Sequence, residues 1–244
     1  MKRTYTDLHL RVNISDPSQA SRLISKASTL GYSLVAVPLS PWTPEHQLEQ
    51  VQRVCEEVSI GFASRVDLKP RTPEELLKDV RKLRRRFELV AVMCESKAVA
   101  RQAAKDRRVD LLNFPQPDFR RAFFDSAEAE LASSCLASLE VDMKPLLTQE
   151  GAAKVKLLSL LRKEVQTAKE FHVPIVLSSG VSEELLMRRP LDLAALSFLF
   201  GLDKDIATEA VSKNPTAIVR RNREKLSPRF IAPGIRVTRR GNDC

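Results

Sequence analysis

Glycine is scarce, with seven in 244 residues, and no Gly-rich loop follows the first strand-like segment. That argues against a dinucleotide-binding crossover, whose phosphate turn requires glycine at fixed offsets. Histidine is scarcer still. His9, His46 and His172 are the only three, too few for a polynuclear hydrolytic site built from ligands on several strands. Aromatics make up 5% of the chain with a single Trp42, which leaves little for base stacking along single-stranded nucleic acid. Cys55, Cys94, Cys135 and Cys244 show no paired spacing, so they read as free thiols in a reducing compartment, the cytoplasm. No long uncharged apolar run occurs and MKRTYTDLHL has no signal-peptide core; a soluble chain without membrane contact is expected.

What the chain does have is positive charge: +9 net and a pI near 9.6. On an intracellular protein such an excess points to a polyanion, nucleic acid before others. With so few aromatics, phosphate and shape contacts should dominate.

Short apolar runs alternate with capped helices. Strands are predicted over Tyr5–Val12, Leu34–Val37, Ile60–Leu68, Leu89–Met93, Val109–Phe114, Cys135–Val141 and Ile175–Leu177. Helices are predicted over Pro17–Leu30 with Asp16 as cap, from Thr43-Pro44-Glu45 to Glu57, from the capping box at Thr72–Glu75 to Arg86, over Ser96–Lys105, Asp118–Ala132 and Glu150–Phe171. Ser182-Glu183-Glu184 opens a further helix. Leu191–Phe200, apolar on nearly every side, should be packed in, and Ala194–Phe198 is the candidate for an eighth strand. This alternation favours a TIM-like (β/α)8 barrel over residues 1–226. The stretch 227–244, with two prolines, two glycines and four arginines, reads as a basic, flexible tail, either inert or ordering on RNA.

Asp7 and His9 share one face of the first strand and could be the remnant of a metal site. Asp67 and Asp142 lie near strand ends but are followed by Lys69 and Lys144, which suit an anion better than a cation. The stronger signal is basic: Lys78, Arg81, Lys82 and Arg84–Arg86 on one helix, Arg101, Lys105, Arg107 and Arg108 on the next, then Arg120, Arg121, Arg188 and Arg189. Any one cluster is compatible with a solvated face; together they favour a phosphate-binding surface. Ser178-Ser179-Gly180 leaves open a small-molecule phosphate site or simply a tight turn.

SRVDLKP at 64–70, VDMKPLL at 141–147, LSSGVSEELLMRRPLDLAALSFLFGLD at 177–203 and NPTAIVRRNREK at 214–225 resemble ribonuclease P protein component three of archaea, the counterpart of the thirty-kilodalton subunit of the eukaryotic enzyme. The resemblance implies a barrel related to the PHP-type, metal-dependent hydrolases with most metal ligands lost. It implies a protein that stabilises the catalytic RNA, which removes the 5′ leader of precursor tRNA with its own magnesium. The chain itself should bind no cofactor and touch precursor tRNA only indirectly. It further implies a small ferredoxin-like subunit as partner, two copies of each forming a heterotetramer, and RNA contacts from Arg65, Lys69, Arg101, Lys144 and Arg188. Lysine at 144, where the archaeal pattern commonly has arginine, supplies charge without the planar fork, and the basic tail is longer than that pattern's. The competing reading is a PHP-type phosphoesterase working through Asp7 and His9.

Overall fold

The structure, a computed structural model, describes residues 4–115, 123–232 and 235–237. Seven parallel strands run in chain order: β1 (Thr6–Asp7), β2 (Leu34–Pro38), β3 (Gly61–Leu68), β4 (Leu89–Met93), β5 (Leu111–Asn113), β6 (Ser138–Asp142) and β7 (Ile175–Ser178). They curl into a nearly closed barrel of the TIM type. The helices on its outside are α1 (Pro17–Thr29), α2 (Glu45–Glu57), α3 (Pro73–Leu83), α4 (Lys97–Ala104), α5 (Ser126–Cys135), α6 (Lys144–Thr148), α7 (Gly151–Glu170), α8 (Pro190–Leu196), α9 (Lys204–Ala210) and α10 (Lys213–Leu226).

The helix starts follow local chemistry. Asp16 Oδ1 accepts from the amides of Ser18 and Gln19, both at 3.1 Å, with Pro17 at the first helical position. Asp125 and Glu128 form a reciprocal capping box on α5. Thr72 caps α3 through the Glu75 amide, but the Glu75 carboxylate turns to the Arg71 amide, so the expected box is half made. Thr43 does not cap α2: Pro44 takes the cap position, and no side-chain bond is made there. Cys135 ends α5 rather than opening β6. The expected helix from Asp118 starts, within the described residues, at Ser126; Arg120, Arg121 and Cys244 lie outside them.

The expected eighth strand is a helix. Pro190 fixes the first turn of α8, and the buried residues Pro190, Leu193 and Ala194 recur at helical spacing, continued by Phe200 at the end of a 3-10 turn over Ser197–Phe200. A strand would have buried Ala194, Leu196 and Phe198 together; Phe198 is half exposed, as are Leu191 and Leu199. The segment thus turns one side outward instead of being enclosed. Without an eighth strand, the segments just past β7 and β1 meet through single bonds, Gly180 N–H to His9 O and Arg11 N–H to Val181 O, each 2.9 Å, while Thr6 of β1 donates its amide to Val211 O after α9 at 3.1 Å.

Two apolar layers result. The larger lies between strands and outer helices. The smaller fills the barrel interior with Leu8, Ala36, Ala63, Leu89, Ala91, Met93, Leu111 and Val176, closed from below by Ile218 and Val219 of α10. This helix crosses the N-terminal end of the barrel. Asn214 donates to Ile175 O at 2.9 Å, Asn222 donates to Glu88 O at 2.8 Å, and Arg221 pairs with Asp110 at 2.9 Å. The stretch read as a tail begins instead with an antiparallel ribbon, β8 (Phe230–Ala232) and β9 (Ile235–Arg236). Among the described residues no helix is long and apolar enough to cross a membrane.

Candidate functional site

Side chains two apart on a strand share a face, and this places Arg65 and Asp67 of β3 inside the barrel opposite Glu140 and Asp142 of β6. Arg65 is 0% exposed. Its Nη2 donates to Glu140 Oε2 at 2.7 Å, Nη1 to Glu140 Oε1 and, at 2.7 Å, to Leu8 O, and Nε to Asp67 Oδ1 at 2.6 Å. Glu140 also accepts from Asn113 Nδ2 at 3.0 Å and Ser178 Oγ at 2.7 Å. Planar fork and carboxylate thus meet bidentately in a dry interior, with the remaining lone pairs occupied.

The next layer toward the mouth centres on His9. Its Nδ1 lies 2.8 Å from Asp142 Oδ1 and its Nε2 3.2 Å from Asp67 Oδ2. Burial and the Arg65 charge push the imidazole pKa down, but Asp142 and Asp67 outweigh them and leave it raised to about 9. His9 is therefore a cation at neutral pH, and both ring N–H groups donate to carboxylates. Arg11 closes the layer from outside, its Nη2 3.6 Å from Asp142 Oδ2. Its Nε is 3.1 Å from His9 Nε2, a contact that becomes a hydrogen bond only when His9 is neutral. Against burial, the Arg65 guanidinium and His9 hold Asp67 well below the usual carboxylate range. Asp142 is lowered as well, His9 foremost overcoming its burial. Asp7 is the exception: burial pushes it up despite bonds from the amides of Ser179 and His9, and its Oδ2 has no partner among the described residues.

The small-residue turn serves this architecture. Ser178 donates to Glu140, while Ser179 donates its amide to Asp7 at 3.0 Å and its hydroxyl to His9 O at 3.3 Å. Its polar groups face protein, which leaves the ligand reading of 178–180 without support. Gly180 has φ +65, and a Cβ there would lie 2.9 Å from Asp142 Cγ. Gly180→Ala is expected to destabilise by about 2 kcal/mol through left-handed strain and the clash, measured as a lower urea midpoint with unchanged m-value.

The expected RNA contacts divide. Arg65 is corrected: an inward-facing position on β3 consumes its donors inside the barrel, so it presents nothing to RNA. Lys69 is exposed beside a mouth cavity of about 350 Å³ that also includes His9, Arg11, Asp67 and Glu95. Lys144 borders an adjoining cavity of about 370 Å³ with Arg11, Asp142 and Glu164; its Nζ donates to Ser182 Oγ at 3.1 Å. Arg11, common to both cavities, was not among the residues expected at the site, although it lies two past His9 on the same strand-like segment. Arg101 is half-exposed on α4, Nε 3.4 Å from Glu128. Arg188 sits before α8, where its Nη1 donates to the Leu185 and Met187 carbonyls at 2.8 and 2.9 Å. Neither adjoins the mouth cavities.

The family profile described as RNase P subunit p30 matches residues 4–227. This chain belongs to that family. Curated relatives named ribonuclease P protein component 3 include one from Methanosarcina barkeri, 30% identical over 222 residues, covering 91% of this chain and 90% of that protein. Another, from Methanosarcina acetivorans, is 31% identical over 172 residues, covering 70% and 71%. Among solved structures, a chain of archaeal ribonuclease P with mature tRNA superposes with a TM-score of 0.83 at 20% identity, covering 98% of this chain and all of that one. An organophosphorus hydrolase from Deinococcus radiodurans shares the fold alone, with a TM-score of 0.54 at 11% identity, covering 89% and 93%.

The reading of Asp7 and His9 as the remnant of a metal site can be tested on the donor atoms present. Donor atoms of His9, Glu140 and Asp142 do lie within 4.8 Å of one another. They do not fit a divalent ion. Both Glu140 oxygens are bound by Arg65, Ser178 and Asn113, and both His9 nitrogens face carboxylates. Two internal cations, Arg65 and His9, are already paired with Glu140, Asp67 and Asp142, so a dication would first have to displace them.

Proposed function

We propose that this chain is a non-catalytic subunit of ribonuclease P, which holds the catalytic RNA in the form that removes the 5′ leader from precursor tRNA. One observation carries this reading: the barrel interior has its carboxylates paired with Arg65 and His9, while the chain retains a net charge of +9. Lys69, Lys144 and Arg11 at the mouth, with Arg101 and Arg188, take RNA phosphates and release their counterions, which lets RNA helices pack against their own repulsion. Magnesium belongs to the RNA, and the chain binds no cofactor of its own. The immediate protein partner is a small ferredoxin-like subunit, two of each forming a heterotetramer, in the cytoplasm; precursor tRNA is reached through the assembly.

The test is reconstitution with the catalytic RNA and partner subunits of the same source. Adding this chain should lower the magnesium needed for precursor-tRNA cleavage. The double variant Lys69→Ala/Lys144→Ala should bind the RNA more weakly, flatten the slope of log affinity against log salt by about 2, and raise the magnesium requirement. An unchanged slope and magnesium requirement in that variant would remove the mouth as an RNA contact. Cleavage of precursor tRNA or a generic phosphodiester by the purified chain alone, lost in Asp7→Ala, would replace the proposal with the phosphoesterase reading.

A further inference from the structure

At the opposite end of the barrel, where TIM-type barrels ordinarily carry stability rather than function, lies a larger basic cavity of about 560 Å³. The loops α3–β4 and α4–β5, the end of α10 and Phe230 of β8 enclose it. Five cations line it, and Asp110 is the single acid among its lining residues. Asp110 is fully engaged: one oxygen takes Arg84 and the Val90 amide, the other takes Arg221 at 2.9 Å.

The five cations are not equivalent. Arg84 is a structural residue, donating to Asp110 and to the carbonyls of Phe87, Glu88 and Arg108. Arg108 is spent on Asp106, with bonds of 2.9 and 2.6 Å. That leaves Arg85, Arg107 and Lys225, whose side chains make no hydrogen bond or ion pair to another described residue. The negative end of α10 accounts for one cation near its last turn, which covers Lys225. It does not account for Arg85 and Arg107, which sit on other loops beside the same cavity. Burial and then the neighbouring Arg221, Arg84 and Arg107 push the Lys225 ammonium below its ordinary value, with Asp110 pulling the other way. Like charges held together with one acid, itself already spent on Arg84 and Arg221, raise the local potential and oppose the folded state; a bound anion would relieve both.

We propose that this cavity is a second phosphate-binding site, at which Arg85, Arg107 and Lys225 take backbone phosphates of the ribonuclease P RNA. It rests on the RNA-bracing role proposed above and extends it to the far end of the barrel. Cations at both ends would let one barrel stand between two RNA segments, a strut instead of a one-sided clamp. The cavity is larger than one phosphate group needs, and Phe230 gives it an apolar side, which suits a run of sugar-phosphate better than a free ion.

The experiment compares three reconstituted complexes by RNA footprinting and by salt-dependent affinity: wild type, Lys69→Ala/Lys144→Ala, and Arg85→Gln/Arg107→Gln/Lys225→Gln. The triple variant should flatten the salt slope by about 3, one unit per residue. It should also expose RNA positions that the mouth variant leaves protected. Arg85→Lys/Arg107→Lys, which keeps the charge, should hold the wild-type slope and serves as the folding control. Wild-type binding with an unaltered slope and footprint in the triple variant overturns the second site while leaving the RNA-bracing role standing. No RNA protection by the wild-type complex defeats that role itself. Inorganic phosphate is the remaining arm: if it raises the melting temperature of wild type but not of the triple variant, while the RNA slope is unaffected, the site takes small phosphates and the RNA assignment is wrong.

Discussion

Arg65→Met is expected to lower the free energy of unfolding by about 3–5 kcal/mol, the usual penalty when a buried ionised group loses its counter-charge. The carboxylate left behind is Glu140, whose side chain is fully buried and whose two oxygens both accept from the guanidinium. Asp67 loses one of its two partners in the same step, leaving His9 as the remaining interior cation for three acids. The double variant Arg65→Met/Glu140→Leu should recover most of the loss, because an apolar pair of similar volume needs no counter-charge. Urea unfolding at pH 7 measures both. A second readout addresses whether the guanidinium occupies a cation's place: in Arg65→Met the freed carboxylates beside His9 should let manganese or magnesium raise the melting temperature, as it should not in wild type. An Arg65→Met protein as stable as wild type would mean that the interior ion pairs contribute little.

Much of this barrel was legible in the chain itself. Asp16-Pro17 and Thr72-Pro73 announce helix starts through short-range chemistry, and Asp16 and Thr72 both cap there, as Ser96 does for the helix expected to begin at it. Leu89–Met93, apolar throughout, could hardly be anything but a strand buried on both faces. What failed did so where local pattern and long-range partner disagree. In Leu191–Phe200 an apolar run of helical period satisfies a packed helix and a strand almost equally, and only its neighbours decide. Arg65 shows the larger difficulty. On an ordinary sheet an arginine within a strand faces solvent; in a barrel the inner face is as dry as the outer layer, and the partner that makes it tolerable, Glu140, is 75 residues away. A signal did exist in the repeated spacing, Arg65-x-Asp67 and Glu140-x-Asp142, which sets charge on one face of two strands. Reading it requires knowing that those faces meet. The free cations Arg85, Arg107 and Lys225 were similarly visible as charge, but not as neighbours.

Above pH 7, Glu164→Gln should be more stable than wild type by about 3 kcal/mol. Glu164 is buried on α7 and its Oε1 accepts the Phe124 amide at 3.0 Å. Burial pushes its carboxyl up to about 7, against the pull of that amide and of the Lys97 charge. The folded state therefore holds its proton more tightly than the unfolded chain, whose value is near 4.5. Stability from this group is greatest below about pH 4.5, declines as the pH rises through the window to 7, and stays lowered above it; the spacing of the two values sets the size at about 1.4 kcal/mol per unit. Glutamine resembles the protonated acid, since its carbonyl can still accept from Phe124, and it carries no charge to bury. Wild type and variant should thus have similar urea midpoints near pH 5 and diverge by pH 8, and a gap that stays constant across that range would show that burial does not govern this acid. The same group lines the cavity beside Lys144 and Arg11, so a carboxyl kept partly protonated at neutral pH also spares the mouth a negative charge where the RNA-bracing role needs a positive field.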